Sequence, residues 1–257
     1  MRRRPFLSLL PPLMLPRATR AGAVQINTSG QEANLLKFDP KNEAMPGLVV
    51  ELMRSLSRID PGLQFKGAEV LRMVRRIEED LANGTLELFF GLVSNEARRA
   101  RFLIIEDPVL YVQYTQLAVN ADDPINVQSL TDIRALGSEG IIGVPQGSAF
   151  VDYLKAIGGL SIDDGTPSVD GTITKLQKRR VRFVYFGGVV LQRYLRERGL
   201  EREIRLLPAR FNRENVCLAA NRQIEPAKLA RVRRALESMK ASGELAALQA
   251  RYGVLDR

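Results

Sequence analysis

The sequence predicts an α/β fold with two related lobes. Beyond residue 23, short apolar segments that are typical of strands alternate with amphipathic segments that are typical of helices. Residues 81–91 form a helix end, a turn and an aromatic strand that stops at Gly91, and residues 176–187 repeat this form. The alternation favours mostly parallel sheets flanked by helices. The repeat indicates two lobes of similar construction, although two strand–helix units can also resemble each other by chance.

Apolar periodicity and turn residues place the individual elements. Residues 29–46, with Pro40, Asn42 and Pro46, are predicted to form a polar loop. The predicted strands are 24–28, 63–66, 86–90, 114–120, 141–144, 181–186, 204–207 and 216–219. The predicted helices are 48–59, 71–82, 129–136, one that starts at 148, one near 172, and 189–198. Two further helices close the chain. The apolar stripe of the first is Leu229, Val232, Leu236 and Met239, and that of the second is Leu245, Leu248 and Tyr252. Such stripes are typical of helix faces that pack on a core.

The composition suits a globular protein and excludes several kinds of site. Hydrophobic residues make up 45% and charged residues 26% of the chain, which is enough for a core and argues against disorder. The chain has no histidine, so the usual zinc ligand and the usual neutral-pH general base are missing. We therefore predict no metal and no cofactor. The single cysteine, Cys217, cannot form an internal disulfide and is predicted to be a small core side chain.

The N-terminal residues have the form of a secretion signal. Arg2, Arg3 and Arg4 precede an apolar stretch over 6–15, and Ala-Gly-Ala at 21–23 fits a cleavage site. The alternative is a plain basic, proline-rich tail. Residues 1–23 contain five arginines and no acid, so the rest of the chain carries +4 of the total charge of +9. Because the arginines beyond residue 23 are mostly interleaved with glutamates, we do not expect a nucleic-acid partner.

The first candidate site follows the aromatic strand that ends at Gly91. Asn95 or Ser94 can cap a short helix there, which brings Arg98 to the mouth of the turn. A guanidinium is a planar fork that pairs bidentately with a carboxylate. The spacing therefore predicts a small partner that carries a carboxylate, whereas the alternative is an ordinary solvated arginine.

Two further strand ends are candidates because ligands of open α/β sheets bind beyond the carboxyl ends of the strands. At Gly147, Ser148 and Ala149 a turn leads into a helix whose first amides can donate to an anion. An ordinary serine cap is the alternative. At Gly187 and its neighbour Gly188, the backbone can approach a ligand closely.

Taken in order, these segments resemble the polar-amino-acid class of periplasmic solute-binding proteins that serve ABC importers, the extracellular solute-binding protein family 3. The resemblance rests on Gly47-Leu-Val-Val-Glu51, Gly91-x6-Arg98, Glu106-Asp-Pro108, Gly143-Val-Pro-Gln-Gly147-Ser148 and the segments 211–219 and 243–253. It implies a type 2 periplasmic-binding fold, a two-lobed clamp with two crossing hinge strands near 116–121 and 205–211. It also implies a signal peptide over 1–23, lobe 1 over 24–117 plus 210–257, and lobe 2 over 118–209.

The same resemblance implies roles for individual residues. Arg98 would hold the ligand carboxylate, which the amides of Ser148 and Ala149 would meet from the other lobe, while Asn95 would fix the loop. Phe38 would supply the aromatic ring that stacks on the ligand.

The sequence departs from the family where the ligand's α-amino group is held. Gly91 and Val93 stand at positions that help to bind this group in the family, and Val93 has no polar side chain. Gly187 replaces the usual aspartate. An ordinary α-amino acid is therefore not expected unless Glu32 or Asp39 compensates.

The sequence thus predicts a monomeric periplasmic binding protein whose partners are a small carboxylate and the membrane permease of an ABC importer. One alternative is a carboxylate dehydratase on the same fold, with Glu32, Asp39 or Glu51 as the acid or base, although no pair of acids at a useful spacing is visible. Another is a sensing or docking domain with a degenerate cleft.

Overall fold

The computed structural model describes residues 22–32, 34–146 and 148–254. Most of the predicted signal segment and the candidate residue Gly147 therefore lie outside the described residues. The strands are β1 Val24–Asn27, β2 Gly30–Gln31, β3 Leu63–Lys66, β4 Leu71–Arg72, β5 Leu88–Val93, β6 Leu103–Ile105, β7 Tyr111–Asn120, β8 Ile142–Gly143, β9 Ile162–Asp163, β10 Phe183–Gly187, β11 Ile204–Leu206 and β12 Phe211–Ala220. The helices are α1 Leu48–Ile59, α2 Val74–Ala82, α3 Glu96–Arg101, α4 Leu130–Ala135, α5 Ala149–Ile157, α6 Val169–Gln177, α7 Gly188–Glu197, α8 Pro226–Ala241 and α9 Glu244–Arg251.

The molecule has the mixed α/β, two-lobed architecture that the sequence predicts. The core of lobe 1 is built by residues from Ile26 to Tyr111 together with residues from Val216 to Val254. Lobe 2 has two apolar clusters, and both are drawn from residues 117–211. Because successive strand residues point to opposite faces, Phe183 and Tyr185 join one cluster while Val184 joins the other.

The longest strands, β7 and β12, connect the lobes. The main sheet runs β5-β12-β7-β10-β8-β9, with β6 beside β12 and β11 beside β7. Pairing is parallel for β1 with β3, β2 with β4, and β8 with β9 and β10. In the main sheet β12 pairs antiparallel with β5, β6 and β7, and β7 pairs antiparallel with β10 and β11, so this sheet is mixed rather than mostly parallel as predicted. The strands β7 and β12 run antiparallel to each other, because the chain leaves lobe 1 along β7 and returns along β12. We call these two the hinge strands.

The segment 29–46 differs from the polar loop that the sequence predicts. Leu36, Lys37, Phe38 and Asp39 are buried. The backbone of this segment docks on the start of α1, where the Leu48 amide donates to the Leu36 carbonyl at 2.8 Å. The prediction was wrong because the short strand β2 pairs with β4 and draws the segment onto lobe 1.

Other boundaries also shift: the strand predicted over 86–90 runs from Leu88 through Gly91 to Val93, and the strand predicted over 114–120 begins at Tyr111. Leu71–Arg72 forms β4 rather than the first turn of α2, which begins at Val74. The strand predicted over 216–219 starts earlier, at Phe211, because its first half pairs with the hinge strand β7. Within the described residues, no helix combines the length and apolar character needed to cross a membrane.

Candidate functional site

The turn between β5 and α3 places four of the predicted site residues together. β5 contains Gly91 and ends at Val93, and α3 follows with Asn95 as its N-cap. The Asn95 side chain accepts a 2.9 Å hydrogen bond from the Arg98 amide. An asparagine in this role satisfies one of the unpaired amides of the first helical turn. The backbone of Arg98 is therefore fixed relative to the strand end.

The guanidinium of Arg98 is held on two sides. Nε and Nη2 donate to Oε1 of Glu78 on α2, at 3.0 and 2.8 Å. Nη1 donates to the Val93 carbonyl at 3.0 Å, so Val93 contributes through its backbone. Glu78 also accepts from Arg101 at 2.9 Å. One N–H on Nη1 and one on Nη2 have no role in these contacts and can donate to a ligand.

Lys37 lies beside this turn, although no local signal in the sequence indicates a site residue there. Its Nζ donates to the Gly91 carbonyl at 2.5 Å and to Gln31 Oε1 at 2.9 Å, and the residue is only 5% exposed. Burial, and next the charge of Arg98, lower the pKa of Lys37 from its ordinary value to about 7, while Glu214 opposes the shift. Gly91 makes room for this lysine, because a Cβ there would lie 3.1–3.3 Å from the end of the Lys37 side chain.

Glu214 is an acidic residue on the hinge strand β12. It accepts hydrogen bonds from Gln113 at 2.6 Å and Asn212 at 3.2 Å. Its charge also acts on two buried phenols, Tyr111 of β7 and Tyr185 of lobe 2, whose pKa values are raised chiefly by burial. Glu214 therefore lies where both lobes meet the hinge strands.

Lobe 2 presents aromatic rings and the start of α5. We call Phe150, Tyr153, Tyr185, Phe186 and Phe211 the aromatic cluster; Phe150 lies 5.6 Å from Tyr185 and 5.4 Å from Phe186 between ring centroids. Ser148 is the residue before α5, but its hydroxyl makes no cap bond. Its buried Oγ has no hydrogen-bond partner among the described residues.

Gly187 and Gly188 differ in the space around them. Gly187 precedes α7 with φ −57°, and the nearest atom to a Cβ built there is 3.8 Å away, on Val190. A Cβ on Gly188 would collide with Gln116. A side chain is therefore tolerated at Gly187 but not at Gly188.

The structure places Phe38 inside lobe 1. Its ring is 3% exposed and stacks on Phe89 with the ring centroids 6.4 Å apart. A ring buried in this way has no free face for a ligand. We therefore leave Phe38 out of the binding residues proposed below.

The acids considered as catalytic groups are engaged or solvated. Asp39 pairs with Arg193, and Glu51 accepts from Tyr252 at 2.7 Å and from Arg251 at 3.0 Å. Glu32 is exposed. Among the described residues there is also no group of three or more acids or cysteines that could hold a metal ion.

A cavity beside the β5–α3 turn offers room for a small molecule. Its volume is about 420 Å³, and it is lined by Val93, Ser94, Asn95 and the hinge residues 212–215, with Arg99 and Glu106. Binding sites for small molecules commonly have volumes of this order. A cavity of about 500 Å³ lies elsewhere, against residues 120–124 and 179–182 of lobe 2. There Arg179 and Arg182 pair with Asp122 and Asp123, and beside the turn Arg99 likewise pairs with Glu106. Arg98 itself does not line the cavity beside the turn. We prefer this cavity because Val93 and Asn95, which hold Arg98, are among its lining residues.

Comparisons with solved structures agree on the fold. The chain is similar to the probable amino-acid ABC transporter extracellular-binding protein of Bacillus subtilis, with a TM-score of 0.74, 13% identity, and 90% of this chain and 97% of that chain covered. It is also similar to the glutamate-bound GluR0 ligand-binding core of Nostoc punctiforme, with a TM-score of 0.67, 16% identity and coverage of 88% and 98%. A histidine kinase sensor domain matches with a TM-score of 0.68, 19% identity and coverage of 93% and 99%.

The chain has the fold of these ligand-binding proteins. No protein-family model matches it, and no curated protein sequence matches it either. The matched structures are described as binding proteins or sensor domains rather than as enzymes. At such low identities the likeness establishes architecture, and the function has to be argued from the site.

Proposed function

We propose that this protein is a periplasmic substrate-binding protein of an ABC importer and that it binds a small carboxylate-bearing solute between its lobes. The observation that carries the proposal is the Arg98 guanidinium, fixed by Glu78 and the Val93 carbonyl with N–H groups left for a ligand. A partly buried, oriented fork of this kind suits a planar carboxylate.

The remaining contacts are proposed from both lobes. In lobe 1, Asn95 holds the Arg98 turn, and Gly91 and Val93 present their backbone to the site. In lobe 2, the Ala149 amide in the first turn of α5 is proposed to meet the second carboxylate oxygen, whereas the Ser148 amide already donates to the Pro145 carbonyl at 3.3 Å. Because Gly187 has no side chain, we propose that it leaves space for the end of the ligand that does not carry the carboxylate held by Arg98.

Ligand binding is proposed to close the clamp. We assign lobe 1 to residues 24–117 plus 210–257 and lobe 2 to residues 118–209, which divides the chain within the hinge strands. A solute that contacts both lobes at once binds the closed form better, and it therefore shifts the equilibrium toward closure. The permease would recognise the closed monomer.

The test compares two arginines that share Glu78. Titration calorimetry against a panel of small carboxylates first identifies a ligand of the unaltered protein. Arg98→Ala should then weaken binding by roughly 2–5 kcal/mol, as for loss of one member of a desolvated charge pair. Arg101→Ala removes the other, exposed contact to Glu78 and should leave the affinity unchanged. Equal losses in both variants, or no loss in Arg98→Ala, would reject the site.

Location and importer are tested separately from binding. Expression of the full chain in a Gram-negative host should give a periplasmic protein that has lost residues 1–23, which N-terminal sequencing detects. A sensing role is the second candidate, because a histidine kinase sensor domain shares the fold. Ligand-dependent stimulation of the cognate importer's ATPase by the mature protein supports transport, and its absence favours sensing.

A further inference from the structure

Lys37 is the one buried cation beside Arg98 in the described part of lobe 1 that has no carboxylate partner. Its two hydrogen bonds go to neutral oxygens, the carbonyl of Gly91 and the amide of Gln31. An ammonium carries three protons, so the third has no acceptor in these contacts. A buried charge of this kind needs an anion or a further acceptor to offset its lost hydration.

The charged groups around Lys37 do not supply that anion. Arg98 repels it, and Glu78 is already bound to Arg98 and Arg101. Glu214 attracts it from the hinge, but that carboxylate accepts from Gln113 and Asn212 and makes no ion pair with Lys37. Lys37 therefore has no carboxylate in hydrogen-bond contact with its ammonium group.

Lys37 also occupies an acceptor that a ligand ammonium would need. The Gly91 carbonyl receives Nζ at 2.5 Å. A second ammonium at this carbonyl would face like-charge repulsion from both Lys37 and Arg98. Glu32 is exposed, Asp39 is bound by Arg193 and Gly187 has no side chain, so none of these positions provides a compensating acid. Of the two acids that line the cavity, Glu214 already accepts from Gln113 and Asn212, and Glu106 already accepts from Ser94 and Arg99.

We propose that Lys37 makes this site selective for small organic acids that carry a second oxygen acceptor and no ammonium group, such as dicarboxylates and 2-oxo acids. The inference rests on the proposed function and specifies its ligand class. Arg98 would take one carboxylate, and the free proton of Lys37 would bind the second acceptor of the solute.

The test uses pairs of probes that differ only at the amino group. Binding of succinate is compared with L-aspartate, and binding of 2-oxoglutarate with L-glutamate, by calorimetry at pH 6.0. The protein should bind at least one of the acids without an amino group about tenfold or more tightly than its amino-acid counterpart, as expected for one charge-assisted hydrogen bond. Equal or tighter binding of the amino acids would overturn the inference while leaving the carboxylate proposal intact.

Variants of two lysines identify the group responsible. Lys37→Met should lose the preference within each pair, whereas Lys41→Met, at an exposed lysine of the same segment, should keep it. If Lys37→Met fails to fold, the unaltered protein still provides a test by its pH profile. Affinity should fall as the pH rises through about 7, because Lys37 loses its proton, and a profile that is flat from pH 6 to 8.5 would count against the inference.

The two proposals fail in different ways. If Arg98→Ala does not weaken any of the probes, the binding site itself is misplaced. If Arg98→Ala abolishes binding but Lys37→Met leaves the preference unchanged, only the role of Lys37 is wrong.

Discussion

Arg193 on α7 of lobe 2 donates from Nη2 to the carboxylate of Asp39 in lobe 1. Its Nη1 donates to the Leu35 carbonyl at 3.0 Å, and both charged side chains are mostly buried. This arginine therefore ties the two lobes together through side chains that are not on the hinge strands. Because it binds Asp39, it also removes that acid from any role in holding a ligand ammonium.

Arg193→Ala should loosen the contact between the lobes. Loss of the ion pair leaves Asp39 partly buried and unpaired, which we expect to cost about 1–3 kcal/mol of unfolding free energy. In small-angle scattering the ligand-free variant should have a larger radius of gyration than the unaltered protein. Arg196→Ala is the control, because Arg196 lies on the same helix but is exposed and pairs only with Glu201. Identical scattering from all three proteins would show that the pair does not hold the lobes.

Arg98→Lys tests geometry rather than charge. Lysine keeps the positive charge but loses the planar fork with which Arg98 donates from Nε and Nη2 to Glu78 and from Nη1 to the Val93 carbonyl. We expect the affinity for the identified carboxylate to fall by about tenfold, less than in Arg98→Ala. An affinity equal to that of the unaltered protein would mean that only charge matters at this position.

Lys37 should make stability depend on pH. Its pKa is about 7 in the folded protein and near the ordinary lysine value of 10.5 when unfolded, so the unfolded chain binds more protons between these values. The penalty for the buried charge is fully present below pH 7 and decreases as the pH rises. Urea unfolding from pH 6 to 8.5 should show the stability of the unaltered protein rising relative to Lys37→Met. Parallel curves for the two proteins would contradict the burial of a charged Lys37.

Two substitutions together should restore recognition of an amino acid. Gly187→Asp adds a carboxylate where the backbone and the surrounding space allow a side chain, and Lys37→Met frees the Gly91 carbonyl. We expect the double variant to bind L-aspartate or L-glutamate more tightly than either single variant does. Calorimetry on the four proteins of this cycle measures the coupling. Additive effects would show that the two positions do not meet in one site.

Cys217 should be unreactive in the folded protein. The residue is 0% exposed, and burial, with a smaller contribution from Glu106, raises the pKa of its thiol to about 12. Thiolate is the reactive form, so a disulfide reagent at pH 8 should label Cys217 only after unfolding. Fast labelling of native protein would mean that β12 opens locally.

The sequence predicted the elements whose signals are local. The α1 stripe, the Asn95 cap of α3 and the core position of Cys217 are confirmed, because periodicity and capping depend on neighbouring residues. The segment 29–46 was misjudged, since its burial depends on the pairing of Gly30–Gln31 with Leu71–Arg72 across forty residues of chain. Lys37 was missed for the same reason: nothing around it in the sequence shows that Gly91 will leave it a space.

The hinge strands also determine how the molecule can come apart. Residues 111–115 of β7 pair with β12, and the same strand continues through 115–120 against β10 and β11. Unfolding one lobe would remove hydrogen-bond partners from a strand that is also part of the other lobe. Denaturation should therefore proceed as a single cooperative transition. A protease cut or a circular permutation inside β7 would therefore damage both halves, and neither half should survive as an independent fragment.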